Sequence, residues 1–150
     1  MKWSVCAVLV AVFVSGCIGQ EKFTVTDITF CSAEPSDRSY SRNPNAVYTK
    51  GDTLWVYMEA FRFEYLEKGE GYVSYFDATL EVFDAEGTSQ GEVTQSMEVP
   101  SDTKPVYMWF KFWIDTVDLG EGTYTVVVTI TDTISKKSAV AEGTFSVVVQ

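Results

Sequence analysis

The chain reads as all-β: a single antiparallel β-sandwich of about seven strands behind an N-terminal leader. Three observations carry that expectation. Nearly every segment after Gln20 is rich in Val, Thr, Tyr, Phe and Trp, and Gly, Pro, Asn or Asp breaks it at regular intervals, the pattern of short strands joined by turns. Within the segments apolar residues alternate with period two, as a sheet with one face in a core requires, and no helix-period segment longer than the leader occurs. Aromatic residues make up 15% of the chain, enough to build a core from packing alone.

The elements follow in order. Phe23 to Cys31 forms the first strand, in which Phe23 and Val25 share one parity and Ile28 and Phe30 the other, so a bulge or kink is expected near Asp27. Ser32 to Asn45, with Pro35 and Pro44, is a polar connection too poor in apolar residues to be a core strand. A Lys50-Gly51-Asp52 turn introduces a strand from Thr53 to Phe63, where Leu54, Val56, Met58 and Ala60 face one way and Trp55, Tyr57, Glu59 and Phe61 the other. An acidic loop, Glu64 to Gly71, leads to a strand from Tyr72 to Phe83 with Phe76, Ala78, Leu80 and Val82 on its apolar side. Asp84-Ala85-Glu86-Gly87 is a hairpin turn, and a short polar strand around Glu92 to Val99 ends at Pro100. Val106 to Ile114 is the strongest aromatic run, Thr123 to Thr131 alternates Tyr124, Val126, Val128 and Ile130 with mostly threonine, and Ala139 to Val149 closes the domain.

The leader fixes an expected location. Lys2 precedes an uncharged stretch from Trp3 to Val14, too short to cross roughly 30 Å of hydrocarbon as a helix and followed by small residues, as a cleaved signal peptide is. It ends in Val14-Ser15-Gly16-Cys17-Ile18, which resembles the lipobox of prokaryotic lipoproteins, archaeal surface proteins as much as bacterial ones. That resemblance implies cleavage after Gly16, a lipid on the Cys17 thiol and retention at the cell surface or the periplasmic face of the cytoplasmic membrane. The expected organisation is a signal peptide over 1–16, a lipidated N-terminus and short tether over 17–22, and the sandwich domain over 23–150.

Composition narrows the function. Lys2 leaves with the leader, so ten cations face 21 acids and the mature net charge is −11, which repels nucleic acid and anionic lipid headgroups. Cys6 lies in the leader and Cys17 would be acylated, which leaves Cys31 alone in the domain, without an internal disulfide and in an apolar stretch suited to a buried thiol. The chain contains no histidine, which removes Ser-His-Asp and Cys-His catalysis and the commonest zinc and copper ligand. No carboxylate pair stands out as a hydrolytic site, and neither an enzyme nor a cofactor is expected. Of the metals only calcium suits this composition, with Asp115, Asp118 and Glu121, or Asp84 with Glu86, as weak candidates, but neither set has metal-loop spacing and solvated turn carboxylates are the simpler reading.

The stretch Gly120-Glu121-Gly122-Thr123-Tyr124-Thr125-Val126 resembles the entry to strand F of immunoglobulin-like and fibronectin type III-like domains. There a tyrosine forms a corner by bonding upstream backbone, and the resemblance gives Tyr124 that part. Val126 stands where an antibody domain has cysteine, so the likeness is one of architecture. The resemblance also implies that the strands beginning at Thr53 and Val106 are neighbours in one sheet. Trp55, Tyr57, Phe61, Tyr107, Trp109 and Trp113 then share its outer face, more apolar surface than a monomer usually leaves in water. The face is covered by the 32–50 connection or the first strand, docks another envelope protein or a second copy, or stacks sugar rings. The expected function is a non-catalytic binding or structural module of the envelope, with a carbohydrate-binding or carbohydrate-active surface protein as the alternative.

Overall fold

A computed structural model describes residues 21–150; the leader and Cys17 lie outside the described residues. Ten strands run in the order β1 (Thr24–Val25), β2 (Thr29–Cys31), β3 (Val47–Thr49), β4 (Thr53–Phe61), β5 (Leu66–Lys68), β6 (Gly71–Phe83), β7 (Ser89–Ser101), β8 (Tyr107–Asp115), β9 (Gly122–Asp132) and β10 (Lys137–Val148), with one 3-10 turn at Thr116–Asp118. They form two sheets. In the first, β4 is central, β8 runs along one side of it, and β1 and β2 share the other. The second has the order β3-β10-β9-β6, with β7 and β5 both on β6. β3 runs parallel to β10 and every other pair is antiparallel. This is an immunoglobulin-like β-sandwich.

The core follows from the alternation in the sequence. Leu54, Val56, Met58 and Ala60 of β4 meet Phe76, Ala78 and Leu80 of β6 and Val126, Val128 and Ile130 of β9, all at 3% exposure or less. Each such Leu, Ile, Val or Phe contributes about 1.5–3 kcal/mol on leaving water. Edge-to-face rings, Phe63 on Phe76 at 5.1 Å and Phe76 on Phe110 at 5.3 Å, bind the two layers together.

The expected slip near Asp27 is a break between two short strands. Val25 pairs with Ala60 and Thr29 with Tyr57, so four steps on one chain match three on the other. The extra residue turns Phe30 to the core and leaves Cys31 on the sheet's outer side beside Trp55. Cys31 is nonetheless fully buried, and burial raises its thiol pKa although Arg42 pulls the other way.

Three sequence expectations need correction. The 32–50 connection contains β3, whose Tyr48 is buried and donates from its hydroxyl to the Cys31 carbonyl at 2.9 Å. The polar strand near 92–99 is 13 residues long and runs through Pro100, which is tolerated because β7 is an edge strand, pairing among the described residues with β6 alone. The acidic loop after β4 holds β5, folded back on the start of β6.

Two buried polar residues fasten the ends. Asp132, fully buried, accepts from the backbone N–H of Glu64 at 2.8 Å and of Ile134 at 3.0 Å and from the Ser135 hydroxyl at 2.6 Å. At the other end Thr116 Oγ1 donates to the Asp52 carbonyl at 2.8 Å and accepts from Gly51 N–H at 2.9 Å. The tyrosine corner is present: Tyr124 donates its hydroxyl to the Gly120 carbonyl at 2.8 Å while its ring stacks on Phe145 at 5.4 Å.

Candidate functional site

Because β4 and β8 are antiparallel neighbours, their outward residues fall into two columns. Trp55 is opposite Trp113, Tyr57 opposite Lys111, Glu59 opposite Trp109 and Phe61 opposite Tyr107. The six aromatics named from the sequence therefore do share one face, with Glu59 and Lys111 among them. Trp55 and Trp113 lie 6.1 Å apart between ring centroids, Tyr57 stacks on Trp109 at 6.4 Å, and the Lys111 ammonium stands 5.8 Å from Trp55 and 6.0 Å from Trp109.

The connection between β2 and β3 crosses this face. Its tip is a tight turn in which Ser36 and Ser39 exchange backbone hydrogen bonds and Asp37 and Arg38 take positive φ. The turn delivers the Arg38 guanidinium onto both oxygens of Glu59, at 2.9 and 3.0 Å, and over the Tyr107 ring at 3.7 Å. Tyr107 donates to Asp37 at 2.7 Å, Arg38 N–H donates to the Tyr57 hydroxyl at 3.1 Å, and that hydroxyl donates to Glu59 at 2.8 Å. Tyr40 lies on the Tyr57 ring at 4.7 Å, and Lys111 pairs with Glu34.

The electrostatics agree with a closed, hydrogen-bonded latch. Hydrogen bonding from Arg38 holds the Glu59 carboxyl below its usual range, against burial and with help from Tyr57. Burial first, then the bond to Glu59, pushes Tyr57 up to about 12. Tyr57 is 3% exposed, Trp55, Phe61, Tyr107 and Trp109 are partly covered, and Trp113 stands 63% exposed. The sequence placed Glu59 on the outward face of its strand and Asp37 and Arg38 in a polar connection, but not their meeting, which depends on a chain reversal 20 or more residues upstream of Glu59.

Trp113 is also the wall of a groove. Among the described residues β8 pairs only with β4 and β7 only with β6, so one side of the sandwich shows two adjacent strand edges. Between them is a cleft of about 210 Å³ lined by Ala78, Val93, Gln95, Lys111, Phe112 and Trp113. A second hollow of about 270 Å³ shares Val93 and Trp113 and runs on to Asp115, Asp118 and Leu119. The groove combines an exposed indole and an apolar floor with an amide, an ammonium group and carboxylates, a set suited to holding a ligand.

The weak calcium candidates are not assembled. Asp115 accepts from the Thr53 hydroxyl at 3.0 Å, Asp118 lies in the 3-10 turn and Glu121 is exposed beyond it. Among the described residues no three His, Cys, Asp or Glu side chains are grouped as a metal ion would require.

No family model matches the chain, and no characterised protein matches it in sequence. Solved structures match in fold. The C-terminal domain of wzt superposes with a TM-score of 0.58 at 13% identity, over 87% of this chain and 75% of that one. That likeness shows the sandwich and nothing of its ligand. A β-glucuronidase from Bacteroides uniformis (TM-score 0.48, 9% identity, 83% of this chain but 14% of that one) is a more distant likeness. So is the CARDB domain of the Pyrococcus furiosus protein PF1109 (TM-score 0.41, 16% identity, 85% of this chain and 88% of that one), and neither bears on function.

Proposed function

We propose that the chain is a membrane-anchored extracytoplasmic lipoprotein whose immunoglobulin-like domain serves as a non-catalytic binding or structural module of the cell envelope. The observation that carries this reading is Val14-Ser15-Gly16-Cys17 at the end of an apolar leader, only six residues before Phe23, the first buried residue described. Supporting it, the domain has no histidine, its one thiol is buried, and its aromatic face, Trp113 excepted, is held under a latch. Cys17→Ala should move the protein from the membrane fraction to the soluble fraction. Unchanged membrane retention of that variant refutes the anchor.

A second reading gives the module its ligand. Trp113, uncovered beside a polar-rimmed groove, favours a carbohydrate, because an indole face stacks on a sugar ring while Gln95, Asp115 and Asp118 meet its hydroxyls. Trp113→Ala should fold normally and lose glycan retention in affinity electrophoresis. If instead a co-purifying envelope protein is lost, the groove is a protein-docking site, and if neither is lost the groove is not the binding site.

A further inference from the structure

The two ends of the sandwich differ in chemistry, and the described chain begins at one of them. Thr24 and Tyr107 both stand opposite Phe61, the last residue of β4, and the end of β7 stands opposite the start of β6. Residues 62–70, 102–106 and 133–137 therefore gather where β1 starts. Direct contacts tie them together. Glu64 N–H reaches Asp132, the Lys104 ammonium lies 5.5 Å from the Tyr65 ring, and Arg62 pairs with Glu21 at 3.3 Å.

Of the ten cations that follow the leader, six are exposed at this end: Lys22, Arg62, Lys68, Lys104, Lys136 and Lys137. Nearby carboxylates, Glu64, Glu67 and Glu70 among them, bring it close to charge balance. The opposite end holds Asp52, Asp84, Glu86, Asp115, Asp118 and Glu121 against Lys50 alone. Two apolar side chains are exposed at the balanced end, Leu66 at 49% and Val106 at 73%, and Tyr65 and Tyr72 meet edge to face there at 5.4 Å. The other end exposes apolar side chains as well, Val117 at 56% and Val149 at 58%, but there they stand in the acidic set that a headgroup layer would repel, so charge and the tether, not apolar exposure, distinguish the ends.

On this basis, and resting on the Cys17 anchor proposed above, we infer that the end formed by residues 62–70, 102–106 and 133–137 seats on the lipid bilayer surface. Leu66 and Val106 enter the interfacial layer, the two tyrosines lie at headgroup depth, and the lysines reach lipid phosphates with their stems along the apolar surface. Six residues from Cys17 to Phe23 span at most about 20 Å, so the anchor brings this end, and not the acidic one, to the membrane. A contact too weak to bind by itself is sufficient when the tether makes it intramolecular.

The test uses the full chain purified from membranes, as Val106→Cys and Glu86→Cys variants labelled with a fluorophore; Cys31, being buried, stays unlabelled. In phosphatidylcholine–phosphatidylglycerol vesicles with brominated acyl chains, the label at 106 should be quenched several-fold more than the label at 86. Adding Leu66→Asp should at least halve the quenching at 106. Equal quenching at the two sites, or quenching at 106 that ignores Leu66→Asp, overturns the seating while leaving the anchor intact. Unchanged membrane retention of Cys17→Ala overturns the anchor and this inference with it.

Discussion

Along the inner side of β10 the residues are Ala139, Ala141, Gly143 and Phe145, and the Ile28–Phe30 segment crosses at Gly143, the smallest. A methyl group at position 143 would lie 2.9 Å from Phe30 Cε2, 3.1 Å from Phe30 Cζ and 3.3 Å from Ile28 Cβ. Non-bonded carbons settle at about 3.5–4.0 Å. The Phe30 ring cannot simply withdraw, since it is 8% exposed and packs on Phe145 at 6.0 Å. Overpacking of this kind costs about 1–3 kcal/mol, and alanine recovers about 0.5–1 kcal/mol relative to glycine in a strand. Gly143→Ala should therefore lower stability by about 1 kcal/mol, within a range of about 0–2.5 kcal/mol, in urea unfolding followed by tryptophan fluorescence. Phe30→Leu removes the two clashing ring atoms, so in that background Gly143→Ala should become neutral or stabilising, a coupling of about 1–2 kcal/mol between the positions. A stabilising Gly143→Ala in the parent chain, or no coupling to Phe30→Leu, would refute the close approach of Ile28 and Phe30 to β10.

Three further outcomes follow from named contacts. Tyr124→Phe keeps the ring on Phe145 and deletes the bond to Gly120, so it should cost about 1 kcal/mol in the same unfolding assay. Asp132→Ala orphans the Glu64 and Ile134 N–H groups together, which should cost about 3 kcal/mol and speed amide exchange in the 62–65 and 133–136 connections while the 84–88 turn stays unchanged. The Glu59 carboxyl titrates lower in the folded chain than in the unfolded one. Its stabilising contribution is thus complete above the unfolded value of about 4.3 and disappears as pH falls through the folded value; Glu59→Gln should flatten that acid limb, and parallel stability profiles would count against the Arg38–Glu59 latch.

The sandwich was legible because alternation is a local property. Leu54 to Ala60, Phe76 to Val82 and Tyr124 to Ile130 each display their buried side within one strand. The parity change between Val25 and Ile28 likewise located a one-residue offset in pairing with β4. What local pattern could not supply was anything set by partners distant in sequence. β7 looked short because an edge strand buries little of either face, and β3 was invisible because its three residues are strand only through pairing with the distant β10. The grouping of Trp55, Tyr57 and Trp109 on one face could be read from strand order, but the fate of that face depended on where Arg38 lands, and a turn sequence does not encode its target.

On the proposed seating, distance from the membrane would divide the protein's surface. From Tyr107 to Trp113 β8 advances six residues, about 20 Å at the rise of an antiparallel strand. If the end containing Val106 rests on lipid, Trp113 and its groove stand clear of the headgroups, and the second hollow opens farther still, toward Asp115 and Asp118. A ligand carrying negative charge would meet the six carboxylates of that far end before it met Lys111, so the groove should favour neutral or cationic partners. That preference weakens with salt, since exposed charges are screened over about 10 Å at 0.1 M. A neutral oligosaccharide retained equally at low and high salt, with an anionic one retained only at high salt, is the pattern this charge arrangement requires; preferential retention of the anionic one at low salt would place the binding site elsewhere.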